Sequence, residues 1–150
     1  MSYHRFAVLT EQGESGAKSA EFEALFAPDV TFYGPFLMKP ISGKELTVRF
    51  LSDVFTYVGH PKYTRQIADD HDPHTTLFLW EGPVQGPDNR PFTLEGSLAI
   101  TEGEDGLIHE VTGYLRPLQV GALLIKPMVS SIASVLPKEY WEATKPTSAN

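Results

Sequence analysis

Residues 63–116, YTRQIADDHDPHTTLFLWEGPVQGPDNRPFTLEGSLAITEGEDGLIHEVTGYLR, decide the fold. Before Tyr63, apolar residues recur at helical spacing. Within this stretch they alternate, the period of a strand with one buried face. Four strands are predicted: Tyr63–Ala68, Thr75–Glu81, Phe92–Thr101 and Leu107–Arg116. Between them stand Asp70-His71-Asp72-Pro73, Gly86-Pro87-Asp88-Asn89 and Gly103-Glu104-Asp105-Gly106, all turn-forming runs. Connections this short make consecutive strands antiparallel neighbours.

Upstream, two short helices are expected within residues 2–27, broken at Gly13 and Gly16, with Ser19 capping the second and Pro28-Asp29 stopping it. Val30–Tyr33 reads as a strand closed by Gly34-Pro35. Ser42 and Glu45 have the spacing of a capping box. They open what is read as the longest helix, which carries Phe50, Val54 and Tyr57 and ends at Gly59-His60-Pro61. Leu118–Leu136 reads as a helix broken at Pro127. This order gives an α+β class: a strongly curved, mainly antiparallel sheet wrapped around a long helix, a cone with an interior suited to a small molecule. Residues 1–137 are read as one domain and residues 138–150 as a polar tail.

Composition narrows the function. The 150 residues are 41% hydrophobic, enough for a core, and carry a net charge of −7. That charge, without any long basic run, argues against nucleic acid. With no cysteine, disulfides, thiolate nucleophiles and cysteine-ligated metals are excluded. The apolar run around Gly121–Ile125 is far too short to span a bilayer, and Met1–Glu14 lacks the apolar core of a signal peptide. The expectation is a cytoplasmic protein with no membrane partner and no cofactor.

Four phrases carry a family resemblance: Phe22-Glu23-Ala24-Leu25-Phe26-Ala27-Pro28-Asp29-Val30-Thr31-Phe32, Gly43-Lys44-Glu45, Gly106-Leu107-Ile108-His109-Glu110-Val111 and Leu115-Arg116-Pro117-Leu118. In this order and spacing, over residues 20–125, the chain resembles the nuclear transport factor 2-like superfamily in its SnoaL-like branch. The resemblance implies a conical α+β barrel and a homodimer formed through the outer sheet face. The superfamily includes ketosteroid isomerase, polyketide cyclases, dehydratases and non-catalytic binders, so the fold leaves function open. Ketosteroid isomerase-like members carry a base Asp where this chain has Gly34, and an acid Asp where it has Leu98. Both carboxyls are missing, which removes that chemistry. Epoxide hydrolase members use an Arg and two Asp, and Arg65, Asp69 and Asp70 do not match that arrangement.

The same resemblance points Leu94, Gly96, Leu98, Ile100, His109, Val111, Gly113 and Leu115 inward, as an apolar pocket lining to which Phe32, Tyr57 and Trp80 are added. His109 is then the candidate proton-transfer group, against the alternative of a structural histidine. Tyr33, beside the lost base position, is a candidate hydrogen-bond donor, and Glu81 a candidate carboxylate if it faces inward. The cluster from Asp69 to His74 reads as a solvated turn rather than a metal site, and no phosphate loop or Gly-x-Ser-x-Gly motif occurs. Phe78 and Trp80 alternate with Leu77 and Leu79, so one strand is apolar on both faces and a homodimer is expected to cover the outer one. Two readings follow: an acid/base enzyme (cyclase, isomerase or dehydratase type) on a hydrophobic polycyclic or polyketide-like substrate, or a non-catalytic binder of a hydrophobic small molecule. The outer sheet face as a protein-interaction surface is a third.

Overall fold

A computed structural model describes residues 1–142 of the chain. The helices at the start are α1 (Ser2–Glu11), α2 (Glu14–Ala17) and α3 (Ala20–Ala24). α1 buries Phe6, Leu9 and Thr10, one turn apart on one face. A Cβ on Gly16 would stand 1.9 Å from the Leu9 carbonyl oxygen, so only glycine lets α2 turn back against α1. Ser19 caps α3 as the sequence predicts, its hydroxyl accepting from the Phe22 N–H at 3.1 Å.

Strand β1 runs Phe26–Tyr33, so Pro28-Asp29 lies inside the strand rather than ahead of it. The proline is accommodated where the register with the neighbouring strand shifts, between Phe26 and Thr31. The expected capping box does not form. Ser42 is committed to β2 (Ile41–Ser42), where it pairs with Thr31. Gly43, at φ +98°, takes the capping position of α4 (Lys44–Tyr57), and its N–H donates to the Val30 carbonyl at 2.8 Å.

β3 (Lys62–Ala68), β4 (Thr75–Gln85), β5 (Pro91–Glu102) and β6 (Ile108–Arg116) follow as the alternation predicts. α5 (Leu118–Ile132) then continues unbroken through Pro127, and at 15 residues it is longer than the 14-residue α4. Leu124, Met128 and Ile132 lie on both sides of that proline and are all buried, so tertiary burial holds the helix across the missing hydrogen bond.

The six strands form one sheet in the order β2-β1-β6-β5-β4-β3. β1 and β6 are parallel and every other pair is antiparallel. The sheet does not close: β2 and β3 are its edges. α4 and α5 cover its concave side, α4 burying Phe50, Leu51 and Phe55. Residues 138–142 lie in the region read as a polar tail. There Tyr140 and Trp141 pack on the core, and the Tyr140 carbonyl accepts from the Met38 N–H at 2.7 Å. The rest of that tail lies outside the described residues. Among the described residues no helix is long and apolar enough to cross a membrane.

On the concave face the Trp80 side chain lies directly over Gly96, its cross-strand partner. A Cβ there would come within 2.6 Å of the indole Cε2 and Cζ2 and of the Tyr114 carbonyl oxygen. The carbonyl cannot move without breaking the ladder. Gly96→Ala is therefore expected to cost about 1–3 kcal/mol in urea unfolding, the range for overpacking a core. A loss below about 0.5 kcal/mol would show that the contact yields.

Candidate functional site

A cavity of about 30 Å³ remains between the sheet, α4 and α5. The sheet contributes Phe32, Trp80, Leu98, Gly113 and Leu115 to its wall, all five named by the sequence reading. α4 adds Phe50 and Val54, and α5 adds Leu124 and Met128. Those helix residues were not singled out as ligand contacts. Their spacing of four residues within each helix is the signal that identifies them. The space is about one water's share of liquid volume, and among the described residues no carboxylate, imidazole or ammonium lines it. Leu98, where the sequence resemblance implies an acid, is 6% exposed. Among the described residues, the buried polar group on the wall is the Trp80 indole. Its Nε1 has no hydrogen-bond partner among the described residues.

The other expected contacts lie elsewhere. Leu94 and Val111 are fully buried in the core, off the cavity wall. Gly96 sits beneath the indole. Tyr57 stands at the end of α4, 36% exposed.

None of the three candidate catalytic residues reaches the interior. His109 breaks the predicted parity because β6 is bulged: Ile108 pairs with Glu102, but Glu110 pairs with Thr101. The extra residue is His109. Ile108 takes the inward place, fully buried, and the imidazole is left at the rim of the sheet. Its Nε2 lies 3.0 Å from Asp105 Oδ2, and its Nδ1 lies 3.6 Å from Asp29 Oδ1. Asp105 also accepts from the Leu107 N–H at 3.0 Å. That bond first, and His109 second, hold its carboxyl below the usual aspartate range.

Glu81 faces outward. It belongs to a charged row across the outer sheet face, Lys62, Glu81, Glu95 and Arg116, each paired with the next by register. Arg116 Nε is 2.6 Å from Glu95 Oε2. Beside the row is an open hollow of about 300 Å³ with Thr64, Ser97 and Tyr114. Tyr33 is 43% exposed and borders an open groove of about 640 Å³ with Glu110, Tyr114 and Leu118.

The acidic cluster is a turn that uses its own side chains. Asp69 accepts from the His71 N–H at 2.8 Å, and Asp72 from the His74 N–H at 3.0 Å and the Thr75 hydroxyl at 2.5 Å. The Thr75 bond is the larger cause that holds the Asp72 carboxyl down.

No family model matches the chain. Over 81 residues it is 36% identical to a curated protein named Protein GrpE from Cereibacter sphaeroides, a match over 54% of this chain and 41% of that protein. The chain therefore spans less than half the length of that relative. Solved structures align over most of the chain. A steroid delta-isomerase from Pseudomonas aeruginosa matches with a TM-score of 0.70 at 24% identity, over 81% of this chain and 84% of that one. A Silicibacter pomeroyi protein with a cystatin-like fold matches with a TM-score of 0.73 at 21% identity, over 89% and 86%. An NTF2-like protein from Burkholderia pseudomallei gives 0.62 at 15% identity, over 83% and 98%. The chain has this cystatin-like, NTF2-like fold.

The histidine and its two carboxylates yield two expectations. His109→Asn leaves binding of any interior ligand within about twofold, because the ring stands outside the cavity. A loss of tenfold or more in a titration would return His109 to the site. The depressed Asp105 carboxyl adds stability above its ordinary range near pH 3.9, and that contribution is lost as acid protonates it. Asp105→Ala should therefore lower the melting temperature at pH 7, and the gap to the parent should close as the pH falls below that range. A gap independent of pH would assign the loss to packing instead.

Proposed function

We propose that this chain binds an apolar small molecule inside the cone and carries out no acid–base chemistry on it. One observation carries the reading: the interior wall is hydrocarbon and aromatic, with Leu98 on it, while Tyr33, Glu81 and His109 all lie outside. Proton transfer needs a titratable group within hydrogen-bond reach of the reacting atom, and among the described residues no carboxylate, imidazole or ammonium stands there. Binding needs only shape and dry surface. The structural likeness to a steroid delta-isomerase, a protein whose name gives a polycyclic apolar substrate, supports an interior of this kind.

The test uses Gly113, whose missing side chain leaves cavity space. A Cβ there would meet Leu98 Cδ2 at 3.4 Å, ordinary contact, so a larger residue fills the space without forcing the backbone. Titration of the full chain with an apolar probe such as indane should quench or shift the fluorescence of Trp80. Gly113→Val should keep the fold and weaken binding by tenfold or more. Equal binding by both proteins would place the probe elsewhere and remove the interior reading.

We further propose that the chain is a homodimer through the outer sheet face. Ile67, Tyr33 and Tyr114 are 46%, 43% and 63% exposed there, around half-buried Leu77 and Leu79. Such a patch on a free monomer would be left against water. Sedimentation at micromolar concentration should give a dimer for the parent and a folded monomer for Tyr114→Glu. A monomeric parent at high micromolar concentration would remove the proposal.

A further inference from the structure

The space a ligand needs is filled by the protein itself. A bicyclic molecule is several times larger than a 30 Å³ cavity, and the α5 side chain that stands in its place ahead of Pro127 is Leu124. Three features mark the first half of that helix as removable. Pro127 has no N–H, so the helical bond to the Leu123 carbonyl is missing between the two halves. Beyond it, α5 is pinned to α4: Ser131 Oγ donates to Asp53 Oδ2 at 2.5 Å, and Arg49 donates to the Ser131 carbonyl at 3.4 Å. Before it, Leu118–Lys126 has no side-chain hydrogen bond or ion pair to the rest of the protein among the described residues. Apolar contact alone holds it, and Leu118 is 76% exposed.

The wall behind the plug carries a second mark. Trp80 is 4% exposed, and its indole N–H has no acceptor. A buried donor without a partner is a standing cost that an incoming acceptor removes. Among the described residues no cation lines the cavity to stabilise an anion, so the acceptor that fits is a neutral oxygen. We propose that the Leu118–Lys126 half of α5 is a displaceable plug. The ligand that takes its place is an apolar molecule with one neutral hydrogen-bond acceptor, such as a cyclic ketone or ester, received by Trp80 Nε1. This proposal rests on the interior-binding reading and specifies how the site opens and what it selects.

Indane and indan-1-one, alike in shape and differing in one carbonyl, separate the possibilities. With the full chain labelled with ¹⁵N, the Trp80 indole resonance is told apart from that of Trp141, the second of two tryptophans, by Trp141→Phe. Indan-1-one should shift the Trp80 indole proton downfield and bind about five- to tenfold more tightly than indane, the worth of one otherwise unmade hydrogen bond. Leu124→Ala should tighten both probes by tenfold or more, and Trp80→Phe should erase the difference between them. If Trp80→Phe fails to fold, the indole shift in the parent decides. Equal affinities with an unmoved Trp80 resonance overturn the acceptor assignment. Binding unchanged by Leu124→Ala overturns the plug. If neither probe binds the parent or Leu124→Ala, the interior-binding reading falls with both.

Discussion

A sheet this curved presents a broad apolar hollow, and burying it is the constraint on which the rest of the structure depends. Phe32, Trp80, Leu98 and Ile100 all face the hollow and are nearly inaccessible to solvent. Two helices meet that requirement differently. α4 lies along the floor with Phe50, Leu51 and Phe55 and is tied to the N-terminal helices, where Ser52 Oγ donates to the Ala17 carbonyl at 2.6 Å. α5 enters across the opening with Leu124, Met128 and Ile132. What α4 leaves open, α5 fills. The residual void is small because both helices contribute large side chains to the same space.

The sign of the environment changes across the sheet. Inside, packing is dry and aromatic, with Phe32 and Phe50 rings 5.3 Å apart. Outside, Lys62, Glu81, Glu95 and Arg116 form a register-paired charged row, and the His109 ring is flanked by two carboxylates. These groups keep their hydration and contribute little individually to stability. None of them is among the residues that line the cavity. The resemblance implies acids at the positions of Gly34 and Leu98, and among the described residues no carboxylate lines the cavity.

The strands were legible because alternation along β3 to β6 is a local property, and the turns between them announce themselves in Asp, Gly and Pro. The fold followed from their order. What escaped was set by pairing rather than by pattern. Ser42 has the spacing of a helix cap, yet the bridge to Thr31 claims it and passes the cap to Gly43. Pro127 carries a break signal, but burial on both sides of it outweighs one lost bond. His109 has inward parity counted from Val111, and a single bulged residue, visible only through the partner strand, reverses it. Five of the cavity residues were nameable from the strands. Leu124 and Met128 were not, because an apolar helix does not say which part of the sheet it will cover.

A plugged cone and an orphaned donor have a common energetic consequence. With α5 seated, the interior keeps its apolar contacts and leaves the Trp80 N–H unpaired. With a ligand seated, the donor gains its acceptor and α5 gives up part of its burial. Apparent affinity then equals the intrinsic affinity reduced by the fraction of molecules with the plug withdrawn. A ligand with no acceptor must overcome that reduction with contact alone. A ligand with an acceptor in the right place recovers part of it from the indole, so selectivity in this site follows from the closed state and needs no charged residue.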